Sequence, residues 1–266
     1  MNVHAVPAPS SSGPSAMWAG PRLRPHALML SEDVGLNRRP FSLFSGLSEA
    51  ERARVVAHGQ RRRVARGARI FNQGDAHDGI FVIECGRVRV YYNAPSGREI
   101  TLAYWGPGHF VGGPNVFSDS VHQWTGLAMT GGSQLFFEGR VLRRLVSEIP
   151  QLAIGVIDGL SFKGQCYSTM AQMLGTRSVT ERLAHLLLHL ADAFGVESAE
   201  GILIADSFTH AELAGMVGST RQWVTMSLKK LQDRGILAAR NATITILRRD
   251  LLAAENYGAA ETPRSR

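Results

Sequence analysis

The apolar residues of this chain change their period once, between Glu138 and Glu148, and this change constrains the fold more than any other feature. From Arg62 to Glu138 they form short runs such as RIFNQGD, GIFVIECG, RVRVYYNAPSG, EITLAYWGPG, HFVGG and SQLFFEG. Such runs, each ended by a turn residue, are typical of the short strands of a barrel or jelly roll. After Glu148 the spacing is helical. The sequence therefore predicts an α+β fold in which a β-jelly roll precedes a set of helices.

The first helical stretch has the spacing of a coiled-coil seam, because its apolar and small residues alternate at steps of four and three. Gly155, Gly159 and Gly164 each weaken an isolated helix by about 1 kcal/mol, so this helix is expected to depend on packing. A helix docked on its own jelly roll would supply that packing, but a two-fold dimer is the favoured interpretation. The residues predicted to line the dimer are Ala153, Ile157, Leu160, Gly164, Tyr167, Ala171 and Leu174.

Two capping boxes mark the starts of two helices near the C-terminus. Thr209 with Glu212 opens the short stretch HAELAGMV, and Ser219 with Gln222 is predicted to open a longer one. Gly218 separates them and can make the turn. Two short helices joined at a glycine predict a helix-turn-helix motif.

The second of these helices has a polar outer face that suits DNA. At 100° per residue, Val224, Leu228 and Leu231 share the buried face. The opposite face offers Arg, Gln and Met side chains, which can bind guanine, adenine and the thymine methyl group respectively. The alternating stretch NATITILRR that follows predicts a β-hairpin wing. The predicted DNA-binding residues are Ser219, Thr220, Arg221, Gln222, Thr225, Met226 and Lys229.

With these motifs in view, residues 41–252 resemble the CRP/FNR superfamily of bacterial transcription regulators. The resemblance is carried by FSLFSGLSEAER, GDAHDGIFVIECGRVRVYY, GPGHFVGG, VTERLAHLLLHLA and THAELAGMVGSTRQWV. It implies a cyclic-nucleotide-binding-like β-roll that senses an effector, a long dimerisation helix and a C-terminal winged helix-turn-helix. It also implies a homodimer that binds a palindromic double-stranded DNA site, with RNA polymerase as a partner if the protein is an activator.

Five segments are expected from the pattern and the resemblance together. Residues 1–40 are rich in Pro, Ser, Ala and Gly and are predicted to be a disordered tail. The remaining segments are a β-roll sensing domain (41–147), a dimerisation helix (148–175), a winged helix-turn-helix (176–255) and a second disordered tail (256–266).

The resemblance places base-contacting positions on Arg221, Gln222 and Met226. The superfamily more commonly has Glu in place of Gln222 and Arg in place of Met226. DNA binding is therefore still expected, but not at the usual half-site.

The sensor segment departs from the cyclic-AMP-binding members that the chain resembles. In those members a Glu binds the ribose and an Arg-Ser pair binds the phosphate, whereas this chain has Gly113, Gln123 and Trp124 at those positions. No Lys or Arg occurs from Thr101 to Gly139. Burying a phosphate without a cation is costly, so cyclic AMP in the usual pose is not expected.

The effector is instead predicted to be a small, weakly charged or aromatic molecule other than cyclic AMP, unless side chains fill the pocket and no ligand is needed. No cofactor is assigned. Two further alternatives remain open: cyclic di-GMP bound near Arg61–Arg63, and haem on His77, His109 or His122. The predicted pocket residues are Phe110, Gly112, Gly113, Gln123, Trp124, Tyr167 and Met170.

Composition excludes some functional classes without choosing among the rest. The net charge of +7 is compatible with a polyanion partner, and two cysteines cannot form a disulfide framework. Cys85 is expected to be a small core residue, and Cys166 lies on the long helix. No apolar run is long enough to span a bilayer, so a cytoplasmic location is predicted. No catalytic or metal site is expected; a jelly-roll metalloenzyme and a sensor acting only through protein partners are the minor alternatives.

Overall fold

The computed structural model describes residues 27–32, 40–117, 120–240 and 243–256. Its β-roll begins with helix α1 (Glu49–Ala57), capped by reciprocal hydrogen bonds between Ser48 and Glu51. The strands that follow are β1 (Gln60–Val64), β2 (Arg69–Phe71), β3 (Ala76–His77), β4 (Gly79–Cys85), β5 (Val88–Asn93), β6 (Glu99–Trp105), β7 (Phe110–Val111), β8 (Ser120–Val121), β9 (Thr125–Ala128) and β10 (Gly132–Glu138).

The strands of the β-roll form two four-stranded antiparallel sheets, in the orders β1-β10-β4-β7 and β2-β9-β5-β6, with β3 and β8 paired separately. The predicted jelly roll is thus confirmed, and each of the six predicted runs contains a strand. Strands β1, β3, β8 and β9 were not predicted individually. The sequence QRRRV of β1 carries no apolar alternation, and β3 and β8 contain only two residues each.

Two helices follow: α2 (Gly139–Glu148) and the long α3 (Pro150–Thr176). One face of α3 packs on the β-roll. At Gly159 a Cβ atom would lie 2.5 Å from the Phe110 ring, and at Gly155 one would lie 2.4 Å from the carbonyl oxygen of Leu43. These two glycines therefore allow a close approach to the chain's own β-roll. The buried residues of α3 are Leu152, Val156, Gly159, Phe162, Cys166, Met170 and Met173.

The C-terminal domain is a winged helix-turn-helix, as predicted. Its four strands form one antiparallel sheet in the order β11-β12-β14-β13. The hairpin of β11 and β12 was not predicted. The elements are α4 (Val179–Phe194), β11 (Gly195–Ser198), β12 (Gly201–Ile204), α5 (His210–Val217), α6 (Arg221–Asp233), β13 (Leu237–Arg240), β14 (Thr243–Ile246) and α7 (Arg249–Asn256).

The prediction of a disordered tail over 1–40 is wrong for residues 27–32. Leu28 pairs with Tyr104 of β6 through two backbone hydrogen bonds of 2.8 and 2.9 Å. Residues 27–31 are buried: Ala27 and Met29 pack into the β-roll core, and Leu28 and Leu30 pack into the core of the C-terminal domain. We call residues 27–32 the interdomain segment. Predictions for 1–26 and 33–39 lie outside the described residues.

Polar contacts also hold the interdomain segment in place. The Ser31 hydroxyl donates to Oγ1 of Thr169 on α3 at 3.0 Å, and the Ser31 carbonyl oxygen lies 2.7 Å from Nε2 of His185 on α4. Glu32 forms an ion pair with Arg177. Each of these contacts joins the segment to the helices that connect the two domains.

Two smaller predictions need correction. Asn256, assigned to the second tail, ends helix α7 and is buried, with Oδ1 accepting from Nη1 of Arg177 at 2.6 Å; residues 257–266 lie outside the described part. Cys85 is exposed rather than a core residue, because it ends β4 with Sγ 3.3 Å from Oγ of Ser133.

Candidate DNA-binding face and effector pocket

Helix α6 buries its inner face and exposes the predicted outer face. Val224 and Leu228 are at most 1% exposed, whereas Met226 is 59% exposed. The helix therefore presents a continuous polar surface that begins at its N-terminus. Of the seven predicted DNA-binding residues, Ser219 is half-buried and the exposed ones are Thr220, Arg221, Gln222, Thr225, Met226 and Lys229.

The predicted capping box at Ser219 is wrong, because the cap lies one residue later. Oγ1 of Thr220 accepts from the backbone amide of Trp223 at 3.2 Å, and an indole at that position cannot complete the box. Ser219 belongs to the turn instead: Gly218 is left-handed, with φ of 64°, and the Ser219 amide donates to the carbonyl oxygen of Ala214. The box at Thr209 and Glu212 is confirmed.

Some side chains of the outer face form hydrogen bonds or ion pairs within the protein, and others do not. Thr225 donates to the carbonyl oxygen of Arg221 at 2.9 Å and lies 2.8 Å from Nδ1 of His210. Lys229 pairs with Asp233, four residues on, at 3.3 Å. The Arg221 guanidinium makes no ion pair with any described residue and remains available to an external acceptor.

The predicted wing is present as the antiparallel pair of β13 and β14, in which Leu237 pairs with Ile246 and Arg240 with Thr243. Ile244 and Ile246 are buried, while Thr243 and Thr245 are half-buried on the opposite face. The tip, residues 241–242, lies outside the described part. The pair follows α6 directly in the sequence, since β13 starts four residues after the helix ends.

The predicted dimer residues lie outside the main docking face of α3. Ile157 is 61% exposed and its neighbour Ile154 is 47% exposed. Of the seven predicted residues, Gly164 and Ala171 are also exposed, and the others, Ala153, Leu160, Tyr167 and Leu174, are half-buried. Docking on the β-roll therefore leaves an apolar stripe of α3 open to solvent, and dimerisation stays a prediction.

A cavity of about 390 Å³ lies between the β-roll and α3. Side chains therefore do not fill the predicted pocket, contrary to one of the two sequence alternatives. Four of the seven predicted pocket residues line it: Gly112, Gly113, Trp124 and Tyr167. The other lining residues are Val90, Trp105, Val111, Pro114, Leu160, Lys163 and Gly164.

The other three predicted pocket residues lie elsewhere. Phe110 is fully buried in the core beneath α3, against Gly159. Met170 packs in the core shared with the C-terminal domain. Gln123 is exposed and donates to the carbonyl oxygen of Val121. Neighbouring positions on β7 and on α3 divide between the core and the cavity. Residue type alone does not show which position faces which.

Lys163 is the lining residue that the sequence reasoning missed. Its Nζ lies 3.4 Å from the centroid of the Trp105 ring and 5.0 Å from that of Phe110. Burial lowers the pKa of Lys163 from 10.5 to about 7. The β-roll segment from 101 to 139 contains no Lys or Arg, and Lys163 lies outside it, on α3. Tyr167 was already assigned to the pocket, and Lys163 lies four residues before it, on the same face of the helix.

The three candidate haem ligands are all buried. His77 and His122 lie with ring centroids 4.6 Å apart, and His122 stacks on Phe71. His109 contacts Phe41 and Trp105 in a different part of the roll. Burial, and next His77, lower the pKa of His122. Within the described residues, no three His, Cys, Asp or Glu side chains are placed to bind a metal.

Two of the three consecutive arginines proposed for cyclic di-GMP are engaged within the protein. Arg61 makes a bidentate ion pair with Glu84, with contacts of 2.7 and 2.8 Å, which raises the pKa of Arg61 and lowers that of Glu84. The Arg62 guanidinium lies 3.9 Å from the centroid of the Phe136 ring. Arg63 remains exposed.

None of the helices in the described ranges has the length and apolar character to cross a membrane.

Comparisons with known proteins agree with both domains. Residues 61–148 match a model of the cyclic nucleotide-binding domain, and residues 181–255 match one of the Crp-like helix-turn-helix domain. The Cyclic AMP receptor protein of Thermus thermophilus is 25% identical over 218 residues, which cover 82% of this chain and 98% of that protein. The CRP-like cAMP-activated global transcriptional regulator of Mycobacterium tuberculosis is 24% identical over 79% of this chain and 94% of its own length.

A solved structure adds support for the whole architecture. The c-di-GMP responsive global regulator CLP of Xanthomonas campestris is 26% identical, with a TM-score of 0.69, and the match covers 75% of this chain and 99% of that one. The alignment thus extends over both domains and the helix between them.

Proposed function

Because this chain belongs to the CRP/FNR superfamily and is a DNA-binding transcription regulator of the CRP type, we propose that it acts as a homodimer on a palindromic site. Two copies of α6 would enter successive major grooves, about one helical turn or roughly 34 Å apart. The observation that carries this proposal is the exposed outer face of α6, with Arg221, which forms an ion pair with none of the described acids, at its N-terminal end.

Base recognition would be concentrated at the first turn of α6. Arg221 and Gln222 are both exposed there, and residues at the N-terminus of a recognition helix are the ones that reach base edges. Met226, one turn later, can contact a thymine methyl group. Lys229 is held by Asp233 and suits a phosphate contact rather than base readout.

Dimerisation would use the open stripe of α3. Ile154 and Ile157 are large apolar side chains of α3 that are 47% and 61% exposed, whereas Leu160, Tyr167 and Leu174 are half-buried. Gly164 and Ala171 are small and exposed further along, which permits a close helix pair. RNA polymerase would be a further partner if the protein activates transcription.

The test is to select binding sites from random duplexes and then measure Arg221→Ala on the selected site at fixed salt. A bidentate contact to a base is worth about 1–3 kcal/mol. The substitution removes one such contact from each half-site of the dimer, so we expect a loss of about 2–6 kcal/mol, or roughly 30-fold at least. Arg63→Ala is the matched control: it removes an exposed arginine from the β-roll and should leave affinity unchanged.

Light scattering must accompany the binding assay. Arg221→Ala should keep the mass of a dimer, so that lost affinity is assigned to the DNA face. Unchanged binding by Arg221→Ala would contradict the proposed readout. Selection that enriches no sequence at all would instead favour a sensor that acts through protein partners.

A further inference from the structure

Lys163 is an unusual lining residue for a cavity of this composition. The other walls are Trp105, Trp124 and Tyr167 together with aliphatic side chains, glycines and a proline. Lys163 reaches this space from α3, with Nζ close over the face of Trp105. It is one of only three lysines in the chain, and the other two are adjacent on α6.

No acid balances this ammonium group. Among the described residues, no carboxylate lies within 4 Å of Lys163 Nζ. Titratable groups around it include Cys166 on the same helix, Tyr167, which lines the same cavity, and His109, whose ring is 5.0 Å from that of Trp105. Burial raises the pKa of Cys166 to about 12 and also raises that of Tyr167, so neither supplies a negative charge near neutral pH.

A structural role in packing does not account for this arrangement. Contact with the Trp105 ring attracts a cation, but an apolar residue of the same length would cover the ring without desolvating a charge. Buried ammonium groups in proteins are normally paired with an anion. The cavity beside Lys163 has room for a ligand that brings one.

We propose that the effector is a small monoanion, with a carboxylate or phenolate oxygen on an aromatic or otherwise apolar body, and that Lys163 is its counter-ion. The anionic oxygen would accept from Nζ, and the apolar body would pack against Trp105, Trp124 and Tyr167. This inference deepens the proposed function, since it rests on the same cavity being the effector pocket.

The residues that line the cavity also favour a small aromatic or apolar anion over a cyclic nucleotide. A cyclic nucleotide carries one negative charge, but it also has ribose and base groups that need several donors and acceptors. The lining offers few polar groups besides Lys163. Unpaired polar groups of a buried nucleotide would weaken its binding.

The experiment is calorimetric titration of the full chain without DNA, using phenylacetate, 4-nitrophenol and the neutral analogue phenylacetamide. We expect both anions to bind, and phenylacetamide to bind at least tenfold more weakly than phenylacetate. Lys163→Met should lose that preference, while Lys163→Arg, which keeps the charge, should retain it. The visible absorbance of 4-nitrophenol reports directly whether it is bound as the phenolate.

A proton count supplies a second readout. Without a ligand, the lowered pKa leaves Lys163 mostly neutral at pH 8.5. Binding of an anion that pairs with the charged form should therefore cause Lys163 to take up a proton from solution. Titration in buffers of different ionisation enthalpy measures this uptake, and Lys163→Met should abolish it. A lysine that serves only to pack on Trp105 would give no uptake.

Several outcomes would overturn the proposal: equal affinity for phenylacetate and phenylacetamide, binding unchanged in Lys163→Met, no binding by either anion at millimolar concentration, or tighter binding of cyclic AMP than of both anions. The comparison of the two phenylacetyl compounds needs no variant, so it stands even if a substitution fails to fold. DNA is absent throughout, so failure here is distinct from failure of the Arg221 test.

Discussion

Replacing Lys163 with Met should stabilise the ligand-free protein at neutral pH. The pKa of Lys163 falls from 10.5 in an unfolded chain to about 7 in the pocket. At pH 7.5 a difference of this size costs at most about 4 kcal/mol of folding free energy, and solvent contact with the half-buried side chain reduces that cost. Contact with the Trp105 ring returns about 1 kcal/mol, and imperfect packing of Met costs up to about 1 kcal/mol. A net gain of at most about 2 kcal/mol remains.

The sign of the pH dependence separates charge from packing. The folded state disfavours the charged form, so the penalty is fully developed below pH 7 and disappears as pH rises through 10.5. The advantage of Lys163→Met in urea unfolding should therefore shrink by more than half between pH 7.5 and pH 9.5. An equal advantage at both pH values, or none at pH 7.5, would refute the argument that the pocket disfavours the charged form of Lys163.

Three further predictions concern other parts of the molecule. Ile157→Glu places a charge on the open stripe of α3 and should halve the mass seen by light scattering; a persistent dimer would contradict the assigned interface. Leu28→Ala should cost about 2–4 kcal/mol in chemical unfolding, because Leu28 is 3% exposed in the core of the C-terminal domain, and a cost below 1 kcal/mol would refute its anchoring role. The lowered pKa of His122 means that the unfolded chain binds more protons, so stability should fall as pH drops below about 6.5, and His122→Asn should reduce that fall.

The sequence predicts most strongly where a local pattern specifies the local structure. The capping box of Thr209 and Glu212, the left-handed Gly218 and the buried Val224 and Leu228 all follow from spacing and residue type. The neighbouring cap was misplaced because Gly218 recruits Ser219 into the preceding turn, which passes the capping role to Thr220. A one-residue difference of this kind depends on hydrogen bonds to the previous helix.

The interdomain segment was missed for a different physical reason. In ALML, alternate residues face two cores, so both faces are apolar and no amphipathic period exists. Its backbone bonds to Tyr104, which lies more than 70 residues away in the sequence, and no local pattern encodes that pairing. The pocket shows the same limit, because Lys163 and Trp105 meet only when α3 docks on the roll.

Strand β6 contacts both the proposed effector pocket and the DNA-binding domain. Trp105 lines the cavity, while its neighbour Tyr104 holds Leu28 of the interdomain segment. The same strand packs against α5, where a Cβ on Gly215 would lie 2.8 Å from Oγ1 of Thr101. A ligand shifts such a structure only as far as it binds one arrangement better than another. Contacts with Trp105 and Lys163 can give two arrangements different ligand affinities only if β6 or α3 moves between them. Both of these elements contact the domain that carries Arg221.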